Sequence, residues 1–474
     1  MAARSTPRRR ETDKPAHSPA MANCGRWENN NTFVLAAAGA AIGLNNVWQF
    51  PYLVTNYGGS AFLLTYLAAL VVLGLPLMMN EILIGRRGGF SPINSVRFLI
   101  VKDACDGRWT ILGWVATLVG VVILSYLSVI AGWVIAYALR AGAGVFNGIT
   151  PDGIRSMFYG FASDPEKQLF WHSLFVFVTM MISACGLNIG AQRFIRFGVP
   201  AFFAIMLVLT IYSFGLANPV NSLNQIFRFE PEALGFEGVV FAAGHAMFSL
   251  GLGVGVLIVY SSHLGQNASI PRVASKVIGL DTLAGMMAAF VVVSMLSMAE
   301  VRDTSGPGLI FQSIPQVLDH IPYGNFIGAL FFIALILATL MSAIAMVEPA
   351  MSWLVESWGL TRAGAATVCG LIAWLFGVVA ILSFNYWGFH TEVWGVEINR
   401  GYFDIVQIIS TYILIPGAVV LGLLFVGWGL TGKILAEEIP SLARGRLSLA
   451  VWTLRLIFPI AAVYVFYQHF IINQ

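Results

Sequence analysis

The chain has 474 residues, 58% of them hydrophobic and only 10% charged, with a formal net charge of +3 and a mean hydropathy of +0.79. Soluble domains carry roughly a quarter charged residues, so this composition excludes a soluble globule and indicates a membrane protein. The four cysteines (Cys24, Cys105, Cys185 and Cys369) lack metal-ligand spacing and argue against a disulfide framework, and nothing in the charge pattern calls for nucleic acid as a partner.

Residues 1–26 are polar, contain Arg8-Arg9-Arg10 and have no apolar core. They predict a disordered cytoplasmic tail and not a signal peptide. Beyond them, apolar runs recur, each long enough to cross about 30 Å of hydrocarbon. Eleven spans are expected, over 31–56, 60–86, 110–142, 169–186, 192–216, 237–264, 275–299, 324–357, 363–384, 402–430 and 448–471. The fold class is therefore an all-α membrane protein with eleven transmembrane helices, the lipid bilayer its surroundings. Lys and Arg gather on the side of the tail, among them Arg86, Arg87, Arg97, Lys102, Arg193, Arg196, Arg272, Arg362 and Arg444. The positive-inside rule then puts the N-terminus in the cytoplasm and, with an odd number of spans, Gln474 outside a plasma (inner) membrane. The apolar stretch from Gly306 to Ile321, broken by Pro307 and Pro315, is too short to span and reads as an outer loop with re-entrant helices.

Span one contains the most unusual stretch, Ala36 to Tyr52. Gly39 and Gly43 weaken the helix, and Asn45-Asn46 put two amides at bilayer depth. A backbone break in lipid is tolerated only where it lines a protein cavity. Its bare carbonyls suit a cation, and its half-helix N-terminus suits an anionic group. A glycine-kinked packing helix is the plainer reading. Span six, however, carries Gly251, Gly253 and Gly255 at every second position, which favours unwinding. Paired interrupted helices in corresponding places of two five-span halves mark an inverted-repeat transporter with its site at the midplane. The halves cover 27–216 and 237–430 of a transporter domain spanning 27–474. The helix over 448–471 lies outside the repeat and is expected to be peripheral.

The motif Gly-x-x-Ile-Gly-Leu-x-Asn-Val-Trp-x-Phe-Pro-Tyr, from Gly39 to Tyr52, resembles the first helix of the neurotransmitter:sodium symporters. The likeness continues through Gly58-Gly59-Ser60-Ala61-Phe62, Gly74-Leu75-Pro76-Leu77 and Glu81-Ile82-Leu83-Ile84-Gly85-Arg86, and onward to about residue 440. It implies a symporter that moves a small-molecule substrate with Na⁺, with breaks near Ala40–Gly43 and Leu250–Gly253. One sodium site would use Ala41, Asn46, Ser249 and Asp281, the last standing where the family has an Asn. Four oxygen-bearing groups suit a hard cation. A second would use Gly39, Ile42, Ala338 and Ser342, with Met341 where a Thr or Asp is usual; a thioether is a poor sodium ligand.

Asp281 lies inside an apolar run, where carboxylates are costly and functional by default. Chloride-dependent relatives place an anion nearby, and many bacterial ones place a carboxylate one turn later, at what is here Gly285. Asp281 reads as that fixed charge moved back one turn, so no chloride is expected. Tyr66, His245 and Ser249 resemble the residues around the anion. A His245–Asp281 pair that binds and releases a proton is the second reading, and Glu81 is the other candidate carrier of charge or a proton. The outer gate of the family, an Arg and an Asp, is here Gln49 and Gln407. The inner gate corresponds to Arg26 and Glu356, with His263 where a Tyr usually supports it.

Substrate-lining positions correspond to Ala40, Gly43, Leu44, Ile123, Leu127, Phe248, Gly251, Val254 and Met346. Leu127 replaces the Tyr whose hydroxyl holds a substrate carboxylate, and Gly43 stands where amine transporters carry an Asp. A small amino acid or amine-like solute is expected. Proton-coupled or sodium-independent transport of a carboxylate-free solute remains open, as does a transport-dead sensor. No enzyme motif accompanies these features, and Gly251-x-Gly253-x-Gly255 is a helix break, not a nucleotide fingerprint. The oligomeric state is not legible from the sequence.

Overall fold

The computed structural model describes residues 27–216, 219–298, 306–393, 396–430, 432–438 and 447–472. The expected tail, and Arg26 with it, lies outside the described residues. Helices dominate; the described strands, Thr391–Val393 and Val396–Ile398, form a short antiparallel hairpin ahead of span ten. Among the described residues, eight helices are long and apolar enough to cross a membrane: Ser60–Gly88, Gly107–Gly142, Ile189–Leu216, Ile270–Met298, Gly324–Trp358, Arg362–Leu382, Tyr402–Gly429 and Thr453–Ile472. Asn30–Ala41 and Leu44–Asn56 form one further crossing, bent by 65°. Pro165–Ala184 occupies the place expected for span four, and Pro231–Phe248 with Val256–Ser262 that of span six.

Local chemistry explains where these helices begin and stop. Asp164 caps the Pro165–Ala184 helix by accepting the Lys167 N–H, and its hydrogen bonds to Lys167 hold its carboxyl below the usual range. Thr361 caps Arg362–Leu382 in the same way through the Gly364 N–H. Proline in the first turn costs nothing there, because that N–H has no helical partner. Gly359, with φ of 66°, ends span eight in the left-handed conformation and turns the chain back into span nine.

The two breaks differ in length. Span one unwinds only at Ile42 and Gly43, both extended, so Ala40 and Ala41 stay helical. Span six unwinds over 249–255, wider than expected, because Gly251, Gly253 and Gly255 all take positive φ (63°, 79° and 74°). Space also requires glycine at Gly253, where an added Cβ would lie 2.7 Å from the Ile415 carbonyl oxygen of span ten.

Other glycines set the close approaches between spans. A Cβ on Gly85 would fall 2.0 Å from Ile258 O, and one on Gly120 would fall 2.3 Å from Met346 O. Span two is thus pressed onto the second half of span six, and span three onto span eight. The outer stretch contains a short apolar helix, Leu309–Leu318, as a non-spanning element. Phe311 from it enters the core between Trp133 (5.6 Å between centroids) and Tyr137 (5.0 Å). The last helix is the least buried of the long ones. Even so, one of its sides packs on span six, where His469 meets the rings of Phe241 and Phe248 and fits the notch at Gly244.

Candidate cation and substrate site

Both breaks converge on span seven. Asn46, in the first turn of the second half of span one, is buried. Its Oδ1 accepts the Gly43 N–H at 3.1 Å, and its Nδ2 donates to Asp281 Oδ1 at 2.8 Å. One side chain therefore closes the end of the half-helix and holds the carboxylate. Asp281 is fully buried, with 0% of its surface exposed, and its Oδ2 has no hydrogen bond. Ser249 Oγ, Thr282 Oγ1 and both ring nitrogens of His245 are buried and equally without one.

Ser249 opens the break in span six and lies beside Asp281 and Tyr66. Buried polar atoms are ordinarily paired, so a cluster of unsatisfied oxygens around a carboxylate suits a hard cation. His245 is held between aromatic rings, stacked on Phe50 at 5.3 Å and tilted against Tyr66 at 5.6 Å. Phe50 also fills the space beside Gly285, where an added Cβ would lie 3.2 Å from its ring. A side chain one turn after Asp281 would have to displace that ring.

The second set of residues is brought together differently. Ser342 Oγ donates to the carbonyl oxygens of Ile42 (3.0 Å) and Ala40 (3.2 Å). Met341 is fully buried, and a methyl group added at Gly39 would lie 3.3 Å from its Sδ. Ala338 stands one turn before Ser342 and is also buried. A serine proton and a thioether thus meet the break where the resemblance implies a second cation.

Around the expected substrate pocket, a Cβ added at Gly120 would lie 2.3 Å from Met346 O and 3.5 Å from Val254 Cγ1. Ile123, less than a turn further along span three, is buried. Leu44 is buried, Gly43 approaches Ser342 Oγ, and Gly251 lies within the unwound stretch. Leu127 is half-buried against the core, beside Tyr126, whose hydroxyl meets Ser410 Oγ of span ten at 3.3 Å. Phe248 packs against Phe466 (5.3 Å) and His469 (5.6 Å) of the last helix.

Of the pair expected as the outer gate, Gln49 is half-buried and Gln407 exposed, and no described hydrogen bond joins them. Asp404, one turn earlier, instead accepts the N–H groups of Asn399 and Arg400. Glu356, expected at the inner gate, accepts from Ser91 N–H (2.8 Å), Ser91 Oγ (2.6 Å) and Asn94 Nδ2 (2.8 Å), fixing the helix Pro92–Asp103. Trp27 donates to Tyr260 O at 2.7 Å.

Sequence reasoning passed over Glu348. Its two oxygens receive Arg362 Nη1 and Nη2, each at 2.7 Å, and Ser352 Oγ at 2.8 Å. His263 lies close enough to act on its charge. A carboxylate within the apolar run of span eight was the available signal.

Two spans broken at positions that meet on one buried carboxylate define a secondary transporter of the inverted-repeat type. The model of the sodium:neurotransmitter symporter family matches residues 24–144 and 168–392, and the chain belongs to that family. It is 28% identical over 444 residues to an uncharacterized sodium-dependent transporter of Bacillus subtilis, covering 93% of this chain and 96% of that one. A second uncharacterized sodium-dependent transporter, from Haemophilus influenzae, is 30% identical over 369 residues, 76% of this chain and 80% of the relative. The crystal structure of MhsT in complex with L-phenylalanine matches with a TM-score of 0.82 and 32% identity, covering 94% of this chain and 99% of MhsT.

Proposed function

We propose that the protein is a sodium-coupled symporter that carries a small amino acid or amine-like solute by alternating access. The supporting observation is Asp281, fully buried, with one oxygen held by Asn46 and the Ser249 hydroxyl beside it. Asp281, Asn46, Ser249 and the Ala41 carbonyl are read as the cation's ligands. A bare carboxylate or a bare Na⁺ in a low-dielectric midplane is costly, whereas the pair is neutral. Sodium binding therefore favours the compact arrangement in which spans one and six are drawn to span seven, and solute and ion move together.

An added chloride would restore an excess negative charge beside Asp281, so transport should need none. The bacterial relatives are described as sodium-dependent transporters, in agreement with sodium coupling, and the solved relative bound L-phenylalanine. The pocket here would be lined by Leu44, Ile123, Leu127, Phe248, Val254 and Met346, and the missing Tyr hydroxyl at Leu127 weakens recognition of a carboxylate. Met341 and the Ser342 hydrogen bonds leave the second site short of hard ligands, which favours one driving ion. The N-terminus is placed in the cytoplasm.

Uptake into proteoliposomes tests this reading. A panel of labelled amino acids and amines should include one that accumulates under an inward sodium gradient, with no requirement for chloride. His245, with two unpaired ring nitrogens, supports a second reading in which protons drive transport. Accumulation that follows a pH gradient without sodium would establish that reading instead. Binding without accumulation would make the protein a sensor.

A further inference from the structure

Glu81 stands one turn before Gly85 on span two. The close approach of Gly85 to Ile258 presses span two against span six. That contact brings Glu81 Oε1 onto the N–H of Gly253, at 2.6 Å, inside the break. The other oxygen, Oε2, is buried and has no hydrogen bond. Both residues border a small cavity of about 10 Å³, whose wall also includes Asn80. Asn80 Oδ1 is likewise buried and unpaired.

The cavity wall is drawn from spans two, three, six and ten, and it contributes no titratable or charged side chain other than Glu81. A bare carboxylate with a single N–H donor in such surroundings is strongly disfavoured. A carboxylic acid is not, and it matches what is present. Its carbonyl oxygen accepts from Gly253, and its O–H is a donor facing a wall that holds an unused acceptor. The space is about that of one water, which has polar partners on two sides.

We infer that Glu81 is a resident proton site: a neutral carboxylic acid that donates through one water to Asn80 Oδ1 while clasping Gly253. It is a neutral latch between span two and the broken part of span six. Such a latch can part and re-form as span six moves without exposing a charge to the apolar wall. Loss of the proton at alkaline pH leaves an unpaired charge in the cavity and disrupts the latch. None of this depends on the cation reading at Asp281, and the spectroscopic test needs neither sodium nor substrate.

Infrared spectroscopy of the purified full chain in lipid, without either, examines the proton directly. At neutral pH a hydrogen-bonded carboxylic-acid C=O band should be present, and Glu81→Gln should abolish it. Asn80→Leu, which removes the acceptor, should move the band to higher frequency. In uptake assays with the wild-type solute, transport should fall over the alkaline range in which the band disappears, and Glu81→Gln should flatten that fall. The absence of a Glu81-dependent acid band at neutral pH overturns the proposal. If Glu81→Gln does not fold, the Asn80→Leu protein decides, because an unshifted band there removes the water bridge. An alkaline fall that Glu81→Gln leaves unaltered also counts against the latch.

Discussion

Asp281 and Glu348 are both carboxylates buried in transmembrane helices, and the protein treats them in opposite ways. Glu348 is saturated, with a bidentate Arg362 and the Ser352 hydroxyl, and Arg362 is tied further to the Ser183 carbonyl at 3.1 Å. Asp281 is met by neutral groups, the Asn46 amide and the neighbouring Ser249 hydroxyl. A buried charge that is fully paired needs nothing from outside, so the Glu348 cluster ties span eight to the start of span nine by itself. A buried charge left half-paired is stable only when something else arrives, which is what a binding site for a positive ion requires. The contrast separates the scaffold of this transporter from its receptor.

The largest effect should come from breaking the saturated pair. Glu348→Leu leaves the Arg362 guanidinium buried without its partner and should cost about 3–5 kcal/mol of stability. Thermal unfolding in detergent should show the loss, and sodium should not restore it. Asp281→Asn should do the reverse. Without sodium the variant should be no less stable than the wild type, because the group removed was an incompletely paired charge. Its sodium affinity should fall about a hundredfold or more, from loss of a charged ligand worth roughly 2–5 kcal/mol. Isothermal titration or sodium-dependent thermal shift measures it. A neutral amide at that position could also create chloride dependence, which uptake in chloride-free buffer would reveal. Equal sodium affinity in wild type and variant would remove Asp281 from the site.

The same two carboxylates show what the sequence could and could not convey. Asp281 was legible because a carboxylate at depth is costly wherever it points, and the two breaks were legible because Gly39, Gly43, Gly251, Gly253 and Gly255 disfavour helix. The partner of Glu348 was not. Arg362 lies beyond the end of span eight and reaches Glu348 only because Gly359 turns the chain back on itself. Phe50 filling the space at Gly285 is a fact of packing between two helices, with no trace in either segment alone. Glu356, a gate residue by resemblance, is engaged by Ser91 and Asn94 at the start of another helix, a contact that spacing does not encode. The notch at Gly244 that receives His469 is of the same kind.

A smaller effect sharpens the comparison from the other side. If the half-paired charge at Asp281 waits for sodium, the unpaired imidazole of His245 is a neutral neighbour wedged between Phe50 and Tyr66. His245→Gln should then change sodium-driven uptake by less than about tenfold, under about 1.4 kcal/mol. Uptake driven by a pH gradient in the absence of sodium, and lost in this variant, would show that the cluster waits for a proton.

The smallest change expected is in selectivity, at Leu127. Ser342 and Asn46 organise the polar side of the breaks, but span three meets them with an apolar side chain where a hydroxyl would hold a substrate carboxylate. Tyr126 beside it is engaged with Ser410, so its hydroxyl is turned to span ten and does not replace the missing one. Leu127→Tyr would add a donor to a largely apolar wall, and a matched polar contact in a pocket is worth about 1–3 kcal/mol when its partner is otherwise unpaired. Solutes with a free carboxylate should gain about tenfold over their amine analogues in competition for uptake, a shift of about 1.4 kcal/mol. Asp281→Asn in the same background should raise that preference further, since the cation would then have to take its negative ligand from the solute. If Leu127→Tyr leaves the order of solutes unchanged, Leu127 does not line the pocket, and the apolar side of the pocket lies elsewhere on span three.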